Sequence, residues 1–142
     1  MKNILILALA MLLGFALAHS KPVKIVPANG SSVKSVSSVK ITFDEAIEAG
    51  FSTFKVYPYT GALTALAMNT FSQAKLKLKN DAATRADLKT NVLGQTTGSG
   101  RAKTIEIILK PNLKSGTYLV IWRILGTDTH GVDGYSHFRI KP

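Results

Sequence analysis

Asp128 and His130 stand two residues apart in the run Trp122-Arg123-Ile124-Leu125-Gly126-Thr127-Asp128-Thr129-His130-Gly131, the densest polar cluster of the chain. Residues two apart in an extended segment project to the same side, so this carboxylate and imidazole converge. They can share one metal ion, or the aspartate can orient the histidine. The run can also be an ordinary turn, since Asp, Thr and Gly are favoured there. A third group gains its chemistry from position. Residues 1–18 read MKNILILALAMLLGFALA, with Lys2 near the start, an apolar run from Ile4 to Leu13 and the ending Ala16-Leu17-Ala18. That is the pattern of an export signal cleaved after Ala18, and cleavage makes His19 the first residue. An N-terminal histidine presents its α-amine and its imidazole to one ion, a nitrogen chelate well suited to tetragonal Cu(II).

Composition narrows the setting. Without the first 18 of its 142 residues the chain keeps 124, enough for one domain with a real core. The apolar run is short for a membrane span, no second stretch approaches spanning length, and the mature protein is expected to be soluble and monomeric. There is no Cys, which excludes disulfides and thiolate sites. Loss of Lys2 leaves 17 Lys and Arg against 8 Asp and Glu, a charge of +9. The lysines alternate along strands as on a solvated face, where they discourage edge association. With no RNP-like motif, Cys/His finger or Arg-rich block, nucleic acid is not an expected partner.

Period-two alternation must supply the elements that position these groups. It runs through Val39–Phe43, Phe54–Tyr57, Lys75-Leu76-Lys77-Leu78-Lys79, Thr104–Ile107, Tyr118–Ile124 and Tyr135–Lys141, with Pro22–Val26 as a first strand. Turn residues separate the runs at Pro27–Gly30, Tyr59–Gly61, Pro111-Asn112, Lys114–Gly116 and Gly131–Gly134. The pattern predicts an all-β, Ig-like or cupredoxin-like sandwich of about seven strands. Its core should hold Val39, Ile41, Phe43, Leu119, Ile121, Phe138 and Ile140. Residues 80–103 fit less well: Asp81–Lys89 reads as a short helix and Gly94–Gly100 as a flexible loop. His137 should point away from the core with Tyr135 and Arg139.

At both ends the sequence resembles the CopC family of periplasmic copper-binding proteins. The late part matches through Gly116–Arg123, then Thr127-Asp128-Thr129-His130 and Gly134. The early part matches through His19, Val26-Pro27-Ala28-Asn29-Gly30 and Ile41-Thr42-Phe43-Asp44-Glu45, while about 59–103 has no counterpart. The resemblance implies a Cu(II) site made by the amine and imidazole of His19 with Asp128 and His130. Glu45 approaches the metal in some members and is otherwise a solvent-facing carboxylate. Arg123 falls beside the site, free to pair with Asp128 or Glu45 or to lie exposed. The resemblance also implies a periplasmic carrier or buffer in copper homeostasis or resistance, able to pass copper to a CopD-type inner-membrane importer. Members with a Met-rich Cu(I) site find no parallel, because only Met68 survives removal of Met1 and Met11; one thioether makes no Cu(I) cage, and Met68 should be a hydrophobe.

Two other classes compete with a non-enzymatic carrier. A copper mono-oxygenase can also use an N-terminal histidine chelate, but an Asp ligand in the copper plane would occupy a position needed by oxygen. Ascorbate-driven peroxide production separates the two. An Ig-like structural or adhesion module would explain the sandwich and leave His19 and the Asp-x-His unexplained.

Overall fold

A computed structural model describes residues 19–78, the backbone of 93–97, and residues 99–142. Two four-stranded sheets face each other, as the alternation predicts. One contains β1 (Pro22–Val26), β3 (Ser38–Glu48), β5 (Leu93–Thr97) and β6 (Arg101–Leu109), in the order β1-β3-β6-β5. The other contains β2 (Ser31–Val33), β4 (Thr53–Tyr59), β7 (Gly116–Leu125) and β8 (Gly131–Ile140), in the order β2-β8-β7-β4. Two of these eight strands lie outside the expected runs: β5, and the three-residue β2, which pairs parallel to β8. Between the sheets lie Val39, Ile41, Phe43, Ile105, Ile107, Val120, Trp122, Ile124 and Phe138, all essentially closed to water.

Leu119 and Ile121 are buried, but not in that core. They face the other way, with Tyr57, Tyr59, Met68 and Leu76. The cover is a helix, α1 (Ala65–Lys77), which replaces the strand expected over Lys75–Lys79. Thr64 starts the helix by accepting the Ala67 N–H at 3.3 Å. Met68, Ser72 and Leu76, four residues apart, form its buried stripe. Local alternation of Lys and Leu therefore gave the wrong period: Lys75 and Lys77 belong to a last helical turn, where cations suit the dipole. Phe71 meets Tyr57 and Tyr59 edge-on at 5.9 and 5.1 Å. Met68 is a packed hydrophobe, as expected.

The helix also changes the fate of Lys55. Alternation would leave it in solvent, yet it is 1 % exposed, beneath the end of α1. Its Nζ donates to the carbonyls of Lys75 and Leu78 at 2.8 Å each, joining the Leu78 N–H on the first and serving the second at the helix terminus. Gly94–Thr97, expected as loop, is strand in β5, where Gln95, Thr96 and Thr97 pair with Ile108, Ile107 and Glu106. A free edge of β6 outweighs the poor strand propensity of this segment. The helix expected over Asp81–Lys89 falls outside the described residues.

His137 faces away from the core, as expected, but is half-buried rather than exposed. The Pro27–Gly30 turn folds over it: Gly30 N–H donates to the His137 carbonyl at 2.7 Å, and His137 N–H to Asn29 Oδ1 at 3.0 Å.

Candidate metal centre

β7 and β8 pair without a slip from Gly116–Ile140 to Leu125–Gly131, so their connection is the Asp-x-His segment. Gly126 N–H donates to the His130 carbonyl at 2.9 Å, and Thr129 N–H to the Gly126 carbonyl at 3.0 Å. Thr129 closes the turn in the left-handed region, at φ 69°. This is the three-residue hairpin built on a turn followed by one left-handed residue. A β-branched residue there is strained. Asp128 folds back over the turn, and its Oδ1 accepts the His130 N–H at 3.1 Å.

The first residues reach this hairpin because β1 starts at the same end of the sandwich. Lys21 N–H donates to Asp44 Oδ1 at 2.8 Å, and Asp44 N–H returns a bond to the Lys21 carbonyl at 3.0 Å. The Lys21 N–H is the chief reason that the Asp44 carboxyl is held below its ordinary value. Ser20 is buried between this anchor and His19. From there His19 Nδ1 comes to 3.9 Å from Asp128 Oδ2, and His130 Nδ1 lies 3.2 Å from the same oxygen. The two imidazoles meet nearly edge to face, 5.4 Å apart. One ligand atom from each of His19, Asp128 and His130 lies within 4.8 Å of the others.

A cation fits these donors. Asp128 Oδ2 is closed to solvent and has no hydrogen-bond partner, although Nδ1 of His130 is close enough to be one. A buried carboxylate oxygen left in that state is costly unless something positive meets it. Asp128 is also held below the ordinary carboxylate range, first by the His130 N–H, then by the charge and imidazole hydrogen bond of His130 and the charge of His19, against the opposing effect of burial. It therefore stays ionised. Two imidazoles and a carboxylate, without sulfur, suit a borderline divalent transition metal. Both histidine side chains are about half exposed, at 52 % and 51 %, so an ion can enter from solvent.

Glu45 lies outside this group; it is exposed, and its N–H bonds Asp44 Oδ1. Arg123 pairs with neither Asp128 nor Glu45. It takes Asp133 in a two-pronged ion pair, Nε to Oδ1 and Nη2 to Oδ2, both at 2.7 Å. The unbroken hairpin register sets these two directly opposite each other, three positions on either side of the Gly126–His130 pair. Counting outward from that turn could have found Asp133. Gln73 of α1 also donates to Asp133, at 3.1 Å. The anchoring role of Asp44 gave no signal that sequence reading could separate from any strand-end aspartate.

The fold and this cluster define a class: a small β-sandwich with two histidines and an aspartate gathered at one end, where the first strand meets the last hairpin. The CopC domain profile matches residues 22–141, and the chain belongs to the CopC family. Among its relatives, copper resistance protein C of Pseudomonas syringae pv. tomato is 29 % identical over 126 residues, 89 % of this chain and 83 % of that one. Copper resistance protein C of Xanthomonas campestris pv. juglandis is 25 % identical over 141 residues, 98 % and 93 % of the two chains. Similar solved structures include CopC from Methylosinus trichosporium OB3b (TM-score 0.61, 22 % identity, 87 % of this chain and 95 % of that one). PcoC, a methionine-rich copper resistance protein from Escherichia coli, superimposes equally well (TM-score 0.61, 24 % identity, 87 % and 100 %).

Proposed function

We propose that this chain binds copper and serves copper resistance or homeostasis as a periplasmic Cu(II) carrier. Its site is His19, Asp128 and His130. Residues 1–18 act as an export signal, and their removal frees the His19 amine as a further nitrogen donor. One observation carries the reading: the solvent-closed Oδ2 of Asp128 lies 3.2 Å from an imidazole nitrogen of His130 and 3.9 Å from one of His19. The names of the curated relatives support copper as the cargo.

The oxidation state follows from the donors. Nitrogen and carboxylate favour Cu(II), whereas Cu(I) prefers thioether and thiolate. Unlike the methionine-rich relative from E. coli, this chain has only 3 methionines, two of them in residues 1–18, and Met68 is on the buried face of α1. An inner-membrane importer is the proposed acceptor, and the half-exposed histidines leave the ion accessible for transfer.

The test uses the amine. Protein beginning at His19 should bind one Cu(II) per chain with a nitrogen-rich tetragonal EPR signal. One extra residue before His19 moves the amine out of the chelate ring and should weaken binding at least about tenfold, as should His130→Ala. Glu45→Gln should do much less. Unchanged affinity in the extended protein would overturn the chelate.

A further inference from the structure

Charge is divided unequally between the two ends of the sandwich. Asp44, Glu45, Glu48, Asp128 and Asp133 all sit at the end that carries the histidines, on the last part of β3 and around the β7–β8 hairpin. At the opposite end Val33 and Gly116 both pair with Ile140, and Lys141 N–H donates to the Val33 carbonyl at 2.9 Å. That pairing gathers Lys34, Lys114, Arg139 and Lys141, all exposed, around the ends of β2, β7 and β8. Among the described residues no Asp or Glu lies on β2, β7 or β8 at that end. Glu106, the remaining described carboxylate, is on the outer face of the other sheet, bonded to Ser38 at 2.8 Å.

Apolar surface adjoins these cations. Pro58, Tyr59, Leu113 and Tyr118 line a hollow of ≈ 380 Å³ that Lys114 borders. On the other side of Tyr59 a second hollow, ≈ 550 Å³, runs to Phe71 of α1. Leu63 and Leu66, where the chain turns from β4 into α1, are 56 % and 78 % exposed. Scattered exposed leucines are ordinary on a protein surface. Exposed leucines in the segment that leaves β4 after Tyr59, on the sheet whose strand ends carry these cations, have the composition of a membrane-interface surface.

We propose that this end of the sandwich docks on an anionic phospholipid bilayer. Lys34, Lys114, Arg139 and Lys141 meet headgroup phosphates, while Leu63 and Leu66 reach the acyl boundary. The long lysine and arginine stems let the charges stay at headgroup level while apolar surface goes deeper. Fluid lipid accommodates cations spread over several strand ends, and it gives the exposed leucines an apolar medium that an acidic protein surface would not. Docked this way, the protein holds His19, Asp128 and His130 away from the lipid, open to an incoming ion.

The experiment compares proteins recovered from export with one common N-terminus, so that residues 1–18 affect all of them alike. Each is sedimented with phosphatidylglycerol-rich vesicles and with neutral phosphatidylcholine vesicles. The unsubstituted protein should bind the first and not the second. Lys34→Glu, Lys114→Glu and Lys141→Glu together should weaken binding by at least about a hundredfold, at about fivefold per lost cation. The control reverses Lys24, Lys77 and Lys103, exposed lysines elsewhere, to Glu and changes net charge equally; it should retain most of the binding. Leu63→Ser with Leu66→Ser should weaken the binding that persists at high salt. Equal loss in both charge-reversed proteins would mean that net charge alone is at work and would overturn the proposal. So would failure to bind the anionic vesicles, capture by an acidic protein without vesicle binding, or indifference to the leucine substitutions. Circular dichroism melting checks that every variant is folded.

Discussion

Gly126→Ala should separate copper affinity from stability. A Cβ on Gly126 would stand 2.6 Å from Asp128 Oδ1, whereas ordinary contact begins near 3.4 Å, so the carboxylate must retreat by about 0.8 Å. The remaining neighbours tolerate the methyl, with the His130 carbonyl at 3.5 Å, and Gly126 does not have a left-handed φ. Retreat breaks the bond from His130 N–H, which costs about 1 kcal/mol. Replacing glycine by alanine recovers about 0.4–1 kcal/mol through the unfolded chain. The two nearly cancel, and the melting temperature should move by no more than about 4 °C. Under the proposed function the same displacement drags Oδ2 from its place between the two histidines. Copper affinity should fall about 10- to 100-fold, the scale on which misplaced ligands act. Competition titration against a Cu(II) chelator, run beside thermal melting, reads both quantities. Native affinity in the variant would refute the role given to Asp128, and a large loss of stability would refute the assignment of the strain to one movable side chain.

Lys55→Met keeps the buried stem but removes the ammonium that caps α1, so that the Leu78 carbonyl loses this donor and the Lys75 carbonyl keeps only the Leu78 N–H; chemical denaturation should show a loss of about 1–3 kcal/mol, and an unchanged midpoint would mean that burying the charge costs as much as its bonds contribute. Thr129→Gly should stabilise the hairpin by about 1 kcal/mol, because glycine accepts the left-handed φ freely. Asp133 is held below its ordinary carboxyl value chiefly by the Arg123 hydrogen bond. Its contribution is therefore present above the unfolded value near 3.8 and disappears as pH falls through the lower folded value. Asp133→Asn should flatten the acid limb of the stability–pH curve, and an unaltered limb would count against the pairing.

The sandwich was legible because β3 and β8 alternate cleanly, with one face in the core and one in water. β7 was harder to read. Its run Tyr118-Leu119-Val120-Ile121-Trp122 is apolar on both faces, which alternation cannot orient, and the choice of Leu119 and Ile121 as inner residues took the face that α1 covers. The helix itself was hidden behind Lys75–Leu78, where two leucines two apart imitate a strand although Met68, Ser72 and Leu76 keep helical spacing. Lys55 could not be understood without its cover, since its partners are carbonyls of a segment some twenty residues on. At the candidate site, the residue types of His19, Asp128 and His130 marked them out. Their convergence depends on contacts absent from any local pattern, the Lys21–Asp44 anchor above all. Arg123 drew attention by its type but found its partner through hairpin register.

The pairing of β2 with β8 has a consequence for how the protein is made. Asn29 bonds Ser136 and His137 across 107 and 108 positions of sequence, and Ser31–Val33 lies along the last strand of the chain. A nascent chain that has not yet delivered residues 131–140 cannot build the β2-β8-β7-β4 sheet, because its second strand from one edge is missing. Native structure must therefore wait for the C-terminal strand, and contacts this distant in sequence form slowly. A polypeptide that stays open until its synthesis ends is one that can be threaded across a membrane before it folds. Under the proposed function, the export signal in residues 1–18 would act on a chain whose closing strand is the last to be made.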